Sequence, residues 1–190
     1  GGVYDLGGGR LVQIMHNGMK VVAGGYYGAW MTELIRLCRG HHETQEERVF
    51  YEVERRLPPD ARMIELGGYW SYYSLWFLRG SPQREALVIE PEPTYLEVGR
   101  ANAELNGLAP KFMQGFAGAE FAESLPFVCE ASGEQAMPRF SVEYLMAQEG
   151  WDRLDLLHAD IQGADTEVLE SCRELLKAGR IGWVFISTHA

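Results

Sequence analysis

The chain has 190 residues, 46 % of them hydrophobic and 23 % charged, the proportions of one ordinary globular domain and not of a disordered chain. Seventeen Lys and Arg against 27 Asp and Glu leave a net charge of −10, and the basic residues form no stripe, so no nucleic-acid partner is expected. No apolar run approaches the roughly 20 residues that span a bilayer, and the cysteines (Cys38, Cys129 and Cys172) are odd in number, far apart and without a CxxC, which points to a reduced, cytoplasmic setting.

Leu11–Ala23 reads as two apolar runs around Asn17-Gly18, the signal for a β-hairpin with a type I′ turn in which both central residues take positive φ. Gly24-Gly25-Tyr26-Tyr27-Gly28 follows, an aromatic loop among glycines that reads either as a lid over a ligand or as an ordinary connection. The spacing then predicts a helix from Ala29 to Cys38 with Trp30, Leu34 and Leu37 on its apolar face. Thr44 and Glu47 have the spacing of a capping box, and the helix they open carries Val49, Phe50, Val53 and Leu57 before Pro58-Pro59 stops it. His41, His42, Glu43, Glu46 and Glu47 are metal-ligand types but lack HExxH spacing, so this stretch reads as a solvated helix start and no metal is expected.

From Ala61 the pattern becomes strand, turn, helix, repeated. Strands are predicted at 62–66, 86–90, 111–115, 154–160 and 181–188, with an extra one near 127–131. Helices are predicted at 71–79, from Thr94 (with Glu97 repeating the capping-box spacing) to Asn106, at 141–148 and at 165–177, with Gly107 and Gly179 as left-handed ends. This alternation implies an α/β fold: a Rossmann-like parallel sheet with helices on both faces, binding its ligand beyond the carboxyl ends of the strands. Residues 1–60 would form a hairpin and helical extension packed on it, and residues 61–190 the ligand-binding domain.

The chemistry concentrates at the strand ends. Glu65 precedes the Gly67-Gly68 turn, where the absence of side chains would let backbone N–H groups approach a ligand and where a side chain would block that approach. Glu90 ends the second strand about 20 residues past the turn, the spacing that serves ribose hydroxyls. Asp160 ends the fourth strand, with His158 two residues before it on the same side. His158 reads as a core-packing residue, and His189 follows the last strand.

These residues resemble the FkbM-type S-adenosylmethionine-dependent methyltransferases, the class I architecture of this fold. The family's first motif, roughly Asp/Glu-x-Gly-Ala-Asn-x-Gly-x-x-Ser, is met in register by Glu65, Gly67, Gly68 and Ser74. Its Glu-Pro-x-Pro ribose motif stands as Glu90-Pro91-Glu92-Pro93, and an Asn-containing motif as Asn102-Ala103-Glu104-Leu105-Asn106-Gly107. The late motif is altered to Asp160-Ile161-Gln162-Gly163-Ala164-Asp165. Tyr69 replaces the motif's Asn, Ser71 its second Gly and Gln162 its Glu, the marks of a divergent branch.

The resemblance implies S-adenosylmethionine as cofactor. Glu65 and the Gly67–Tyr69 backbone would meet its amino-acid end, with Ser71 beside it. Glu90, with Pro91, would take the ribose hydroxyls, and Phe116 and Ala117 would flank adenine. Asp160 would face the methionine moiety and the reactive methyl, with Asp160 or His189 as the catalytic base. The implied reaction is O-methylation of a hydroxyl on a small molecule, sugar, glycan or natural-product unit. A nicotinamide-dependent Rossmann oxidoreductase and a non-catalytic scaffold that kept the fold are the alternatives. Methyltransferases of this architecture add an antiparallel strand pair after the fifth strand. The chain is therefore expected either to be truncated before it or to use the Leu11–Ala23 hairpin to cover a sheet edge. Further domains or a homo-oligomer are compatible with this reading.

Overall fold

A computed structural model describes residues 1–7, 9–161 and 163–187. The chain opens with a three-stranded antiparallel sheet of β1 (Val3–Asp5), β2 (Leu11–Ile14) and β3 (Lys20–Val22). The expected hairpin is present, but its turn is not type I′: only Gly18 of the Asn17-Gly18 pair takes positive φ, at 83°. Asn17 instead accepts the Met19 N–H on its side-chain Oδ1 at 3.0 Å, and Gly18 N–H closes the turn on Met15 C=O at 2.9 Å.

Helices α1 (Gly28–Leu37) and α2 (Thr44–Glu54) follow. The predicted apolar face of α1 is reversed: Trp30 is 62 % and Leu37 65 % exposed, while Ile35 is the buried residue. Periodicity locates an apolar stripe but does not say that anything covers it. The capping box at α2 is also absent. The N-cap is Glu43, without a side-chain cap bond, and Glu47 turns inward to accept from His41 and His42.

The main body comprises β4 (Arg62–Leu66), α3 (Tyr72–Arg79), β5 (Glu85–Glu90), α4 (Pro93–Asn106), β6 (Lys111–Gln114), β7 (Phe116–Ala117), β8 (Ala122–Cys129) and β9 (Gly133–Phe140). It continues with α5 (Val142–Gln148), β10 (Leu154–Ala159), α6 (Asp165–Ser171), α7 (Arg173–Lys177) and β11 (Ile181–Ile186). Five strands form a parallel sheet in the order β11-β10-β4-β5-β6. This is the doubly wound order 3-2-1-4-5 read from the β6 edge, with its switch point between β4 and β10.

Side chains alternate across the sheet. Met63, Ala86 and Leu156 join a core with α2 and α3, while Ile64, Leu87 and Leu157 join the opposite core with α5, α6 and α7. Each of the last three is almost fully buried, which contributes on the order of 2 kcal/mol per side chain. Met15, Met19, Val21, Ile35 and Phe50 of the N-terminal segment share the first core.

Four further expectations change. The single helix over 165–177 is two, α6 and α7, meeting at Cys172. The extra strand is a full hairpin, β8 and β9, which with β7 makes a separate three-stranded sheet. Helix α4 is capped by Glu92, whose side chain accepts the Thr94 N–H, with Pro93 in its first turn and Gly107 left-handed at its end. Among the described residues the N-terminal hairpin pairs with no edge of the main sheet: β3 runs along α4, where Asn102 and Asn106 accept the Val22 and Lys20 N–H groups at 2.7 and 3.0 Å.

Candidate ligand cleft at the strand ends

A cleft of about 500 Å3 opens beyond the carboxyl ends of β4, β5 and β10. Its lining includes Glu65, Gly67, Gly68, Tyr69, Glu90, Pro91, Phe116, Ala117 and Asp160, which the sequence had placed together. Ser71 does not line it: the residue is fully buried beneath the turn, its Oγ without a hydrogen-bond partner among the described residues. His189 lies outside the described residues.

The turn after β4 is more self-contained than its glycines suggested. Gly67 and Gly68 N–H both donate to Ile89 C=O, at 2.9 and 3.1 Å, and Tyr69 N–H donates to Glu90 Oε2 at 2.8 Å. The expected backbone donors are therefore spent on β5. The glycines answer to packing instead. Gly67 has φ 78°, and a Cβ there would lie 2.1 Å from the Asp160 carbonyl oxygen. A Cβ on Gly68 would lie 2.2 Å from Val88 Cγ1.

Tyr69 and Ser71, which replace the motif's Asn and Gly, both take left-handed φ, 40° and 60°. Asn and Gly adopt that region readily, whereas other residues lose roughly 1 kcal/mol or more there. Both positions therefore carry backbone strain that Asn or Gly would avoid. Asn102 secures the turn from α4, its Nδ2 donating to Trp70 C=O at 2.9 Å while its Oδ1 holds β3.

Glu90 is 5 % exposed. Burial pushes its carboxyl up, against the pull of the Glu92 and Tyr69 N–H groups, to a pKa of about 7. Those two N–H bonds occupy two of the roughly four acceptor positions of a carboxylate. The remainder are available for a diol.

At the cleft floor, Glu65 and His158 are register partners on β4 and β10, with Nδ1 3.3 Å from Oε1. Ser74 Oγ donates to Glu65 Oε2, which fixes the carboxylate from α3. His158 Nε2 and the Tyr73 hydroxyl are buried and, among the described residues, have no hydrogen-bond partner. Both residues line the cleft, so the floor can receive a polar ligand group. Burial raises the Tyr73 hydroxyl far above its ordinary value, which keeps it a neutral donor. His158, read from the sequence as a packing residue, does stack on Phe185, but it also belongs to the lining.

One wall was not anticipated. The β8–β9 hairpin brings Phe127, Val128, Cys129 and Glu130 to the cleft, with Phe127 stacked on Phe116 at 4.5 Å. Glu92 ties that hairpin down, accepting the Ala131 and Ser132 N–H groups, each at 2.9 Å. The glycine-flanked loop before α1 also reaches the cleft. Tyr26 stacks on Trp70 at 4.4 Å, and Tyr27 N–H donates to the Tyr69 hydroxyl at 3.4 Å.

No family model and no curated protein matches the chain. Solved structures similar to it include an S-adenosylmethionine-dependent methyltransferase from Geobacter sulfurreducens in complex with S-adenosyl-L-homocysteine, with TM-score 0.47 and 14 % identity over 75 % of this chain and 47 % of that one. M. capricolum TrmK, in complex with the same product, has TM-score 0.47 and 12 % identity over 75 % and 52 %. An O-methyltransferase from Bacillus cereus has TM-score 0.43 and 15 % identity over 67 % and 50 %. The chain spans about half the length of these structures.

Proposed function

We propose that the chain binds S-adenosylmethionine in the strand-end cleft and transfers its methyl group to a hydroxyl of a small molecule, sugar or glycan. The observation that carries the reading is Glu90: a buried acid ending the second sheet strand, held by the turn after the first, with acceptor positions to spare. The acceptor class rests on the sequence resemblance to the FkbM-type enzymes.

The residues present fit this cofactor. Glu90 would accept from the ribose hydroxyls. Phe116 and Ala117, backed by Phe127, offer an apolar slot of the kind an adenine fills. Glu65, His158 and Tyr73 supply polar atoms at the floor for an amino-acid end. When bound, S-adenosylmethionine supplies a methyl group activated by its sulfonium.

The chain's own contribution is then mostly alignment, which converts an encounter into a near-unimolecular step. Asp160, in the cleft at the end of β10, orients the acceptor hydroxyl or takes its proton. Tyr26 and Tyr27 line the cleft, where they would shield the reacting groups from water once a ligand is bound. Calorimetric titration with S-adenosylhomocysteine and with NAD+ tests the proposal. Binding of the first and not the second supports it. Binding of NAD+ alone would replace it with the oxidoreductase reading, and binding of neither with the scaffold reading.

A further inference from the structure

We infer that His16, His41 and Glu47 form a binding site for a divalent transition-metal ion of the zinc type, away from the strand-end cleft. The three come from separate pieces of chain: His16 from the β2–β3 connection, His41 from the α1–α2 connection and Glu47 from the first turn of α2. One candidate ligand atom from each lies within 4.8 Å of the others. His16 Nδ1 is 3.5 Å from Glu47 Oε2, and His41 Nδ1 is hydrogen-bonded to the same oxygen. Zinc–nitrogen and zinc–oxygen bonds of about 2.0–2.2 Å in a tetrahedral site set ligand atoms about 3.4 Å apart. His41 need only withdraw slightly for an ion to replace the shared proton contact, and its side chain is 31 % exposed.

The surroundings are those of a prepared ligand set. Glu47 is a carboxylate with only 2 % of its side chain exposed, which is costly unless it is paired. Its second oxygen, Oε1, is held by His42 through the backbone N–H at 3.1 Å and Nδ1 at 2.8 Å. The other ring nitrogen of His42 lies 3.0 Å from Glu43 Oε2. Such outer partners fix the orientation of a ligating carboxylate. The His16 and His41 rings stack at 3.9 Å and 18°, so the two imidazoles support one another. Two imidazole nitrogens and one carboxylate oxygen suit zinc better than calcium or magnesium, which prefer all-oxygen sets. The site opens on a shallow second cleft, leaving a fourth position for water. Arg79 on the same rim is engaged with Asn17 C=O at 2.5 Å.

The test uses the whole, untagged chain stripped with a chelator, titrated with Zn2+ by calorimetry and with Co2+ by visible absorption. Expected are one ion per chain, cobalt bands of four- or five-coordinate intensity, and a Zn2+-dependent rise in melting temperature. His16→Ala and His41→Ala, at partly exposed positions, are each expected to weaken Zn2+ binding at least tenfold and to abolish the melting shift, with circular dichroism unchanged. Wild-type protein that is folded and takes up no Zn2+ at micromolar concentration overturns the inference. So does binding that neither substitution weakens.

Discussion

Tyr69 N–H donates to Glu90 Oε2 at 2.8 Å, joining the turn after the first sheet strand to the acid that ends the second. The bond has two effects. It commits the turn's backbone to the protein itself, and it anchors Glu90 by one oxygen in the cleft wall. Glu92 N–H holds the other oxygen at 2.8 Å.

The same environment makes ligand affinity depend on pH. With Glu90 at a pKa of about 7, lowering the pH protonates the acceptor that the ribose hydroxyls need. Affinity for S-adenosylhomocysteine is expected to fall by about tenfold from pH 8 to pH 6, as the ionised fraction falls. Titrations across that range check it, and Glu90→Gln should flatten the profile. Stability moves over a lower range, from about 4.5 to about 7. The folded pKa is raised, so Glu90's favourable contribution is complete below about 4.5 and is lost as pH rises through about 7.

Ser71 and Gly99 are coupled. Ser71 holds a left-handed φ of 60° and a buried hydroxyl without a partner among the described residues. Ser71→Gly is expected to stabilise the fold by about 1 kcal/mol, or about 2–4 °C in melting temperature. A Cβ on Gly99 would lie 2.5 Å from Ser71 Oγ, so Gly99→Ala is expected to destabilise by about 1–3 kcal/mol. The double substitution should recover part of that loss, a non-additivity that denaturant unfolding of the four proteins measures.

Gly67 is expected to be a folding residue first. Gly67→Ala places its Cβ against the Asp160 carbonyl at a φ of 78°, so β4 and β10 must separate at their ends. A loss of about 3 kcal/mol or more in chemical denaturation is expected, in the range of severe core changes. From the sequence, a side chain at Gly67 would block a ligand's approach; in the structure it meets the protein first. The obstruction is the neighbouring strand.

Asp160→Asn tests charge at nearly constant shape. Once an accepted substrate is found, turnover is expected to fall by about 100- to 10,000-fold, with cofactor affinity changed far less. Single-turnover methyl transfer measures it.

The five sheet strands were legible because each is a short apolar run followed by a turn signal, as in Met63-Ile64-Glu65-Leu66-Gly67. Glu65, Glu90 and Asp160 were legible because strand ends at a switch point are where such folds bind ligands. What failed was local pattern without tertiary information. Thr44 and Glu47 have capping-box spacing, yet Glu47 is claimed by His41 and His42. Trp30 and Leu37 mark an apolar stripe that the rest of the described chain leaves exposed. The β8–β9 hairpin carries Pro126 and alternates weakly, so its role as a cleft wall had only one clue, the aromatic Phe127. His158 was visible by strand parity with Asp160. Its pairing with Glu65 depended on the β4–β10 register, which no single strand states.

The most direct measurement is calorimetric titration of S-adenosylmethionine into wild-type protein and into Glu90→Ala, with folding of the variant verified by circular dichroism. One cofactor per wild-type chain is expected, weakened in the variant by about 1.5–3 kcal/mol, roughly 10- to 150-fold. No binding to the wild type, or equal affinity in a folded Glu90→Ala variant, would contradict the assignment of this cleft to S-adenosylmethionine.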